Sequence, residues 1–163
     1  NFGIQSETEV TGVGANAKMN EFQAAMGLCN LRHVEEEIAK RQKVFERYME
    51  GLQGVKGIKL PEYVRKGADR NYAYFPVVIE AEAYGHSRDE VYNRLKEYGI
   101  YSRRYFYPLT NEFSCFHGRY VSECTPVAHE ISEEILCLPI YADLEMENVD
   151  FICNTVKKIW QGK

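Results

Sequence analysis

The sequence predicts a mixed α/β chain of the α+β type: a small sheet with helices against one face, led in by one long helix. Three observations predict it. An apolar stripe at helical spacing runs from residue 20 to residue 52, three more helical segments follow, two of them with N-terminal caps, and short β-branched or aromatic runs lie between them. With 163 residues and 45% hydrophobic content, the chain is long enough to bury a proper core in one domain of ordinary size.

Taken in order, residues 1–11 carry Ser6, Glu7, Thr8 and Glu9 without a sustained period and read as a loop or short strand. Gly12, Gly14 and Asn16 then form a glycine-containing loop, and Asn20 followed by Gln23 fits a capping box, so a helix starts near Met19 or Asn20. Backbone amides ahead of a helix dipole suit a phosphate, although a glycine-rich turn of this kind also serves as a plain tight connection. Leu28, Leu31, Ile38, Phe45, Met49 and Leu52 keep one side apolar, and Glu35, Glu36, Lys40, Lys43 and Glu46 keep the other polar. One helix of roughly 45–50 Å is therefore expected through Leu52, ended by Gly51 and Gly54.

Ile58-Lys59-Leu60 before Pro61 allows only a short strand, and residues 62–70 read as a surface loop. Tyr72 to Ile79 is aromatic and β-branched, hence a strand, with Pro76 pointing to an edge position or a bulge. Ser87 to Glu90 is a capping box opening a helix with Val91, Leu95 and Tyr98 on one face and Gly99 as its C-terminal cap. Ile100 to Phe106 is an extended run, and the aromatic segment 110–123 reads as a packed irregular loop. Thr125-Pro126 opens a helix continued by Val127, Ile131 and Ile135, residues 136–140 form a short buried strand, and a last helix from about Met146 presents Val149, Ile152, Cys153, Val156 and Trp160.

Composition narrows the function classes. A net charge of −4 with no basic stripe argues against nucleic acid, and no apolar run approaches membrane-spanning length. Five cysteines without CxxC spacing argue against a disulfide framework or a structural zinc and make a reducing cytoplasm the expected compartment. His33, His86, His117 and His129 show no ligand spacing, so no metal is expected. Cys29, Cys137 and Cys153 fall on apolar faces and read as buried thiols, whereas Cys115 beside Phe116-His117 reads as open to oxidation.

Gly14-Ala15-Asn16-Ala17-Lys18-Met19, followed by Gln23-Ala24-Ala25-Met26-Gly27-Leu28, resembles the Gly-x-Asn-x-Arg-Met and Gln-Ala-Ala-x-Gly-Leu signature of the DegT/DnrJ/StrS family of sugar aminotransferases. Further matches at Asn71-Tyr72-Ala73-Tyr74-Phe75, Gly99-Ile100, Tyr107-Pro108-Leu109, Thr125-Pro126-Val127-Ala128 and Leu138-Pro139-Ile140 extend the likeness over nearly the whole chain. The resemblance implies the C-terminal part of a type I aminotransferase fold, with a few antiparallel strands covered by helices. It implies residues 1–19 as a remnant of the large-domain cofactor loop, 20–53 as a long interdomain helix and 54–163 as the small domain. The chain opens on Asn1-Phe2-Gly3 without an initiator methionine, which fits this expectation of a fragment.

The same resemblance implies pyridoxal 5'-phosphate as cofactor, a homodimer with a shared active site, and transfer of an amino group, with glutamate as the expected donor, to a keto group of a nucleotide-linked deoxysugar. The Tyr105-Phe106-Tyr107-Pro108-Leu109-Thr110 version leans toward dTDP-4-keto-6-deoxyhexoses. The catalytic Schiff-base lysine is expected upstream. Lys40, Lys43, Lys56, Lys59, Lys66, Lys157 and Lys158 all lie in polar stretches, so no catalytic residue is assigned here and the fragment alone is expected to be inactive. Asn16 takes the family's cofactor-phosphate role across the dimer; read without the family it is a turn residue satisfying its own backbone. Lys18 keeps the charge of the usual Arg but not its bidentate grip.

Arg103, Arg104, Tyr105 and Tyr107 cluster at the end of the extended run and suit a sugar-nucleotide diphosphate, and they equally suit a solvated strand end with aromatic core residues. Thr110 stands where many relatives carry His. The competing reading from another class is a non-catalytic binding, dimerisation or regulatory module with the same small-domain fold.

Overall fold

Asn20 opens the first helix as its residue types require: its Oδ1 accepts the Gln23 N–H at 2.9 Å, and the Gln23 side chain accepts the Asn20 N–H at 2.9 Å. In the computed structural model, which describes residues 3–6, 8–12, 18–61, 68–120 and 124–162, this helix is α1, Glu21–Leu31, and a second helix α2 spans Val34–Leu52. The single helix expected from 20 to 52 is thus two helices, interrupted at Arg32 and His33. Neither Gly nor Pro marks the break. The Arg32 N–H folds back to Cys29 O at 3.2 Å, and Glu35, Glu36 and Glu37 fill the first turn of α2, where carboxylates stabilise a fresh helix N-terminus.

The chain divides into two compact units, Asn1–Arg32 with Tyr105–Glu133 and His33–Arg104 with Glu134–Lys163. In the first unit α1 buries no residue. Phe22, Met26, Leu28 and Leu31 are all exposed, and so is Cys29, contrary to the expectation of an apolar stripe and a thiol packed inside. The loop expected over 110–123 contains two 3-10 turns, Thr110–Glu112 and Ser114–Phe116, and helix α5 follows at Pro126–Glu134 with Pro at its first position. Val121, Ser122 and Glu123, within that loop, lie outside the described residues. Ser114 Oγ donates to Val10 O at 2.8 Å, fastening the second turn to the opening segment, where Ile4 and Val10 form an isolated antiparallel bridge.

The second unit holds the sheet and the core. Its three strands, β1 (Ile58–Lys59), β2 (Phe75–Ile79) and β3 (Ile135–Leu138), lie in the order β1-β2-β3 and pair antiparallel. Pro76 therefore sits in the central strand rather than on an edge. It is tolerated because β1 pairs only with Val78 and Ile79 and stops short of it, so Pro76 faces a partner, Cys137, on one side only. Tyr72 to Tyr74 precede the strand instead of joining it, since Tyr72 takes a left-handed backbone with φ of 50°. Of the extended run after Ile100, one bridge is present: Arg103 and Cys137 exchange N–H···O bonds of 2.9 and 2.7 Å.

Around this sheet pack α2, α4 (Arg88–Glu97) and α6 (Met146–Trp160); a short α3, Ala81–Tyr84, went unread in the sequence. Phe75, Val77 and Ile79 alternate inward from β2 against Tyr48 and Phe45 of α2. The Tyr48 hydroxyl donates to Pro139 O at 2.9 Å and the Tyr84 hydroxyl to Val156 O at 2.7 Å, and burial pushes both phenols well above the ordinary range. Helices α2 and α6 approach closely at Gly51, where an added Cβ would lie 2.6 Å from Cys153 Sγ, and burial pushes that thiol up to about 11.

Two exposed carboxylates set an acid limit on the second unit. Arg47 holds Asp150 in a two-pronged pair of 2.7 and 2.8 Å, and the Ser87 N–H and hydroxyl reach Glu90 at 2.7 and 2.9 Å, so both carboxyls are depressed below their usual values. A depressed folded-state pKa contributes stability that is complete above the unfolded carboxylate range and is lost as pH falls through the lower folded value. Urea midpoints measured from about pH 6 to pH 3 should fall less steeply in the Asp150→Asn, Glu90→Gln double variant than in the parent. Equal slopes would remove these two groups from the acid transition.

Candidate functional site

Asn16, expected at a cofactor phosphate, lies outside the described residues, and the exposed Lys18 begins the part that follows it. Immediately after, the capping box commits the amides of Asn20 and Gln23 to each other's side chains, and Glu21 places a carboxylate in the first turn. Those two amides are accordingly closed to a phosphate. In this region the exposed Lys18 carries a cation of the right sign for one.

Of the four residues expected at the substrate, two fall in each unit. In the second unit Arg103 is exposed, and its backbone is clamped to β3 by the bridge to Cys137, which fixes where its guanidinium emerges. Arg104 is half-buried, 4.6 Å from the Tyr92 ring and 3.2 Å from Asp89 Oδ1. The same carboxylate oxygen meets Arg88 Nε at 2.7 Å, and Arg88, 2% exposed, donates through Nη1 to Ile135 O at 3.2 Å. One Asp89 carboxylate oxygen therefore serves two guanidiniums, the buried Arg88 and the half-buried Arg104. Asp89 and Tyr92 were invisible as site residues in the sequence because they read there as part of a capped, amphipathic helix.

In the first unit Tyr105 and Tyr107 are half-buried. The Tyr105 ring stacks on the exposed Phe106, with centroids 5.1 Å apart and planes 16° from parallel. The 3-10 turn that follows carries Thr110 and Asn111 into the wall of a cavity of about 640 Å³, completed by Phe116, Arg119, Tyr120, Cys124 and Thr125. Phe116 and Tyr120 meet edge to face at 5.3 Å. Thr110 thus lines a cavity. His129 on α5 has its Nδ1 3.1 Å from Glu112 Oε1. Seventeen residues separate that pair, a spacing no sequence motif flags.

Among the described residues, no group of three or more His, Cys, Asp or Glu is gathered as a metal would need, and no helix is long and apolar enough to cross a membrane. All five cysteines are unpaired.

A sequence profile of the DegT/DnrJ/EryC1/StrS aminotransferase family matches residues 1–157. The chain belongs to this family. Among curated DegT relatives, it is 40% identical over 152 residues to a dTDP-4-amino-4,6-dideoxy-D-glucose transaminase of Escherichia coli, covering 91% of this chain and 40% of the relative. It is 35% identical to a transaminase of the same description from Shigella dysenteriae, covering 98% of this chain and 43% of the relative. Among solved structures, DesI in the presence of its TDP-sugar product superposes with a TM-score of 0.80 at 28% identity, over 92% of this chain and 38% of that one. The chain spans about two fifths of the length of the curated relatives it matches. The small antiparallel sheet with its helices is that of the fold type I aminotransferases to which the DegT family belongs.

Proposed function

We propose that this chain is part of a pyridoxal-phosphate-dependent aminotransferase that moves an amino group, with glutamate as donor, onto the keto carbon of a dTDP-linked 4-keto-6-deoxyhexose in the cytoplasm. The observation that carries the reading is the 40% identity to the E. coli transaminase over 91% of the chain. DegT-family aminotransferases depend on pyridoxal 5'-phosphate. When bound, that group supplies the carbonyl that receives the amino group and the conjugated ring that holds the electrons.

This chain's own residues bind and orient. Asn16, with Lys18 beside it, reaches the cofactor phosphate of a second subunit. Arg103 and Arg104 meet the diphosphate, and Tyr105 and Tyr107 offer flat faces to the nucleotide sugar. The amine that holds the cofactor belongs to residues beyond these, so the fragment alone is inactive and the active unit is a homodimer of the complete protein.

The test uses the full-length protein. Glutamate should bleach the cofactor's visible band, and a dTDP-4-keto-6-deoxyhexose should restore it. Arg103→Ala should raise KM for the sugar nucleotide by about tenfold or more, the scale of one charge-assisted hydrogen bond, with the glutamate half-reaction intact. Asn16→Ala should weaken cofactor retention. A band indifferent to glutamate would defeat the reading, and an Arg103→Ala effect on both half-reactions would remove Arg103 from the sugar site.

A further inference from the structure

In the first unit one carboxylate holds two pieces of chain. Glu112 Oε2 accepts the Leu109 N–H at 3.2 Å, and its Oε1 lies 3.1 Å from His129 Nδ1. The first contact closes the 3-10 turn just after Tyr107-Pro108, and the second ties that turn to α5. The two elements joined in this way border one cavity: Thr110 and Asn111 come from the turn, and Thr125 is the residue that precedes α5. His129 is in turn seated on the same helix, its N–H donating to Thr125 O at 2.9 Å and its carbonyl accepting the Ser132 hydroxyl at 2.8 Å.

A glutamate and a histidine on a protein surface gain little from each other as an ion pair. Here the Glu112 side chain is about one quarter exposed, and its second oxygen holds a backbone amide, which fixes the carboxylate's orientation and lets it set the spacing of the wall. A wall fixed to within a fraction of an ångström is what discrimination among hydroxylated ligands requires, because a misplaced hydroxyl or amide leaves a ligand group unpaired.

Resting on the proposed function, we infer that Glu112, braced by His129, is a positioning residue that holds the Tyr107–Asn111 segment and its cavity wall in the conformation that takes the nucleotide-sugar substrate. Glu112 touches no substrate itself. Its carboxylate acts through Leu109 and His129.

The experiment uses the full-length enzyme and reads two quantities. Amide exchange at Leu109 requires no substrate: Glu112→Ala should speed it about fivefold or more, the worth of one hydrogen bond. Glu112→Gln, which keeps an amide oxygen for Leu109 and an NH2 for His129, should restore it. Steady-state kinetics with a dTDP-4-keto-6-deoxyhexose should show KM for the sugar raised about tenfold in Glu112→Ala with kcat held, near-parental KM in Glu112→Gln, and no change in the control Glu130→Gln on the exposed side of α5.

Parental exchange at Leu109 in Glu112→Ala would overturn the bracing role whatever the substrate. A parental sugar KM in Glu112→Ala would overturn it as well, as would a joint loss of kcat and KM for both substrates that Glu112→Gln fails to rescue. A parent enzyme that turns over no nucleotide sugar would instead defeat the proposed function, and this role with it, while the exchange result at Leu109 would still report the brace.

Discussion

Replacing Phe75 with alanine should lower the unfolding free energy of the second unit by about 3–5 kcal/mol. The side chain is fully buried, with the Tyr48 ring centroid at 4.7 Å and the Phe45 centroid at 4.9 Å. Phe45 in turn packs edge-on against Tyr72 at 5.3 Å and carries the Arg70 guanidinium at 5.0 Å, so four rings and a cation share one cluster. Truncation removes the transfer free energy of the ring and leaves a cavity, because Phe45 and Tyr48 are anchored on α2 in a close-packed core and collapse only partly into the space. Urea unfolding should show a lower midpoint with an unchanged denaturant slope. A loss of under about 1 kcal/mol would mean the cluster repacks freely and is not the centre of the core.

Gly57→Ala should cost about 2–5 kcal/mol, the sum of a left-handed backbone penalty and an overpacking penalty. Gly57 has φ of +80°, and a Cβ there would lie 2.2 Å from the Tyr84 amide nitrogen and 2.6 Å from Tyr84 Cα, both backbone atoms that cannot swing aside. Its carbonyl also accepts the Glu80 N–H at 2.9 Å, so the glycine seats the start of α3 directly on the entry to β1. Displacing Tyr84 would break its hydroxyl bond to Val156 and loosen α6. Thermal unfolding of Gly57→Ala beside Gly54→Ala gives the comparison. Gly54 has a similar φ of +78° but nothing within 4 Å of its added Cβ, so it should show the backbone penalty alone. Equal losses would place the whole effect in the backbone.

Much of this architecture was legible because local chemistry and tertiary structure agree. The capping boxes at Asn20 and Ser87 are present, the Pro126 helix start is present, and the stripe of Val149, Ile152, Cys153 and Val156 is buried on α6. The break at Arg32 and His33 was illegible because the apolar period continues across it. Burial, not period, distinguishes the two halves: Leu52 is 1% exposed while Leu31 is 65% exposed. Pro76 misled because a proline reports a missing donor, whereas edge or centre depends on how far a neighbouring strand extends. At the candidate site the basic and aromatic residues from Arg103 to Tyr107 could be seen, since they are adjacent in sequence. Asp89 and Tyr92, the partners of Arg104, could not, nor could the pairing of Glu112 with His129, since contacts between residues distant in sequence bring no spacing to read.

The bridge between Arg103 and Cys137 has a consequence for how this lineage can change. It brings the points where the chain leaves the second unit, after Arg104, and returns, at Glu134, to neighbouring strands of one ladder. Topologically the stretch from Tyr105 to Glu133 is the overgrown loop of a hairpin whose stem is already paired. Because closing a loop becomes only slowly more costly as it lengthens, insertions, deletions and wholesale recomposition there are tolerated while the stem keeps its register. The composition of the excursion can thus drift while the paired stem holds.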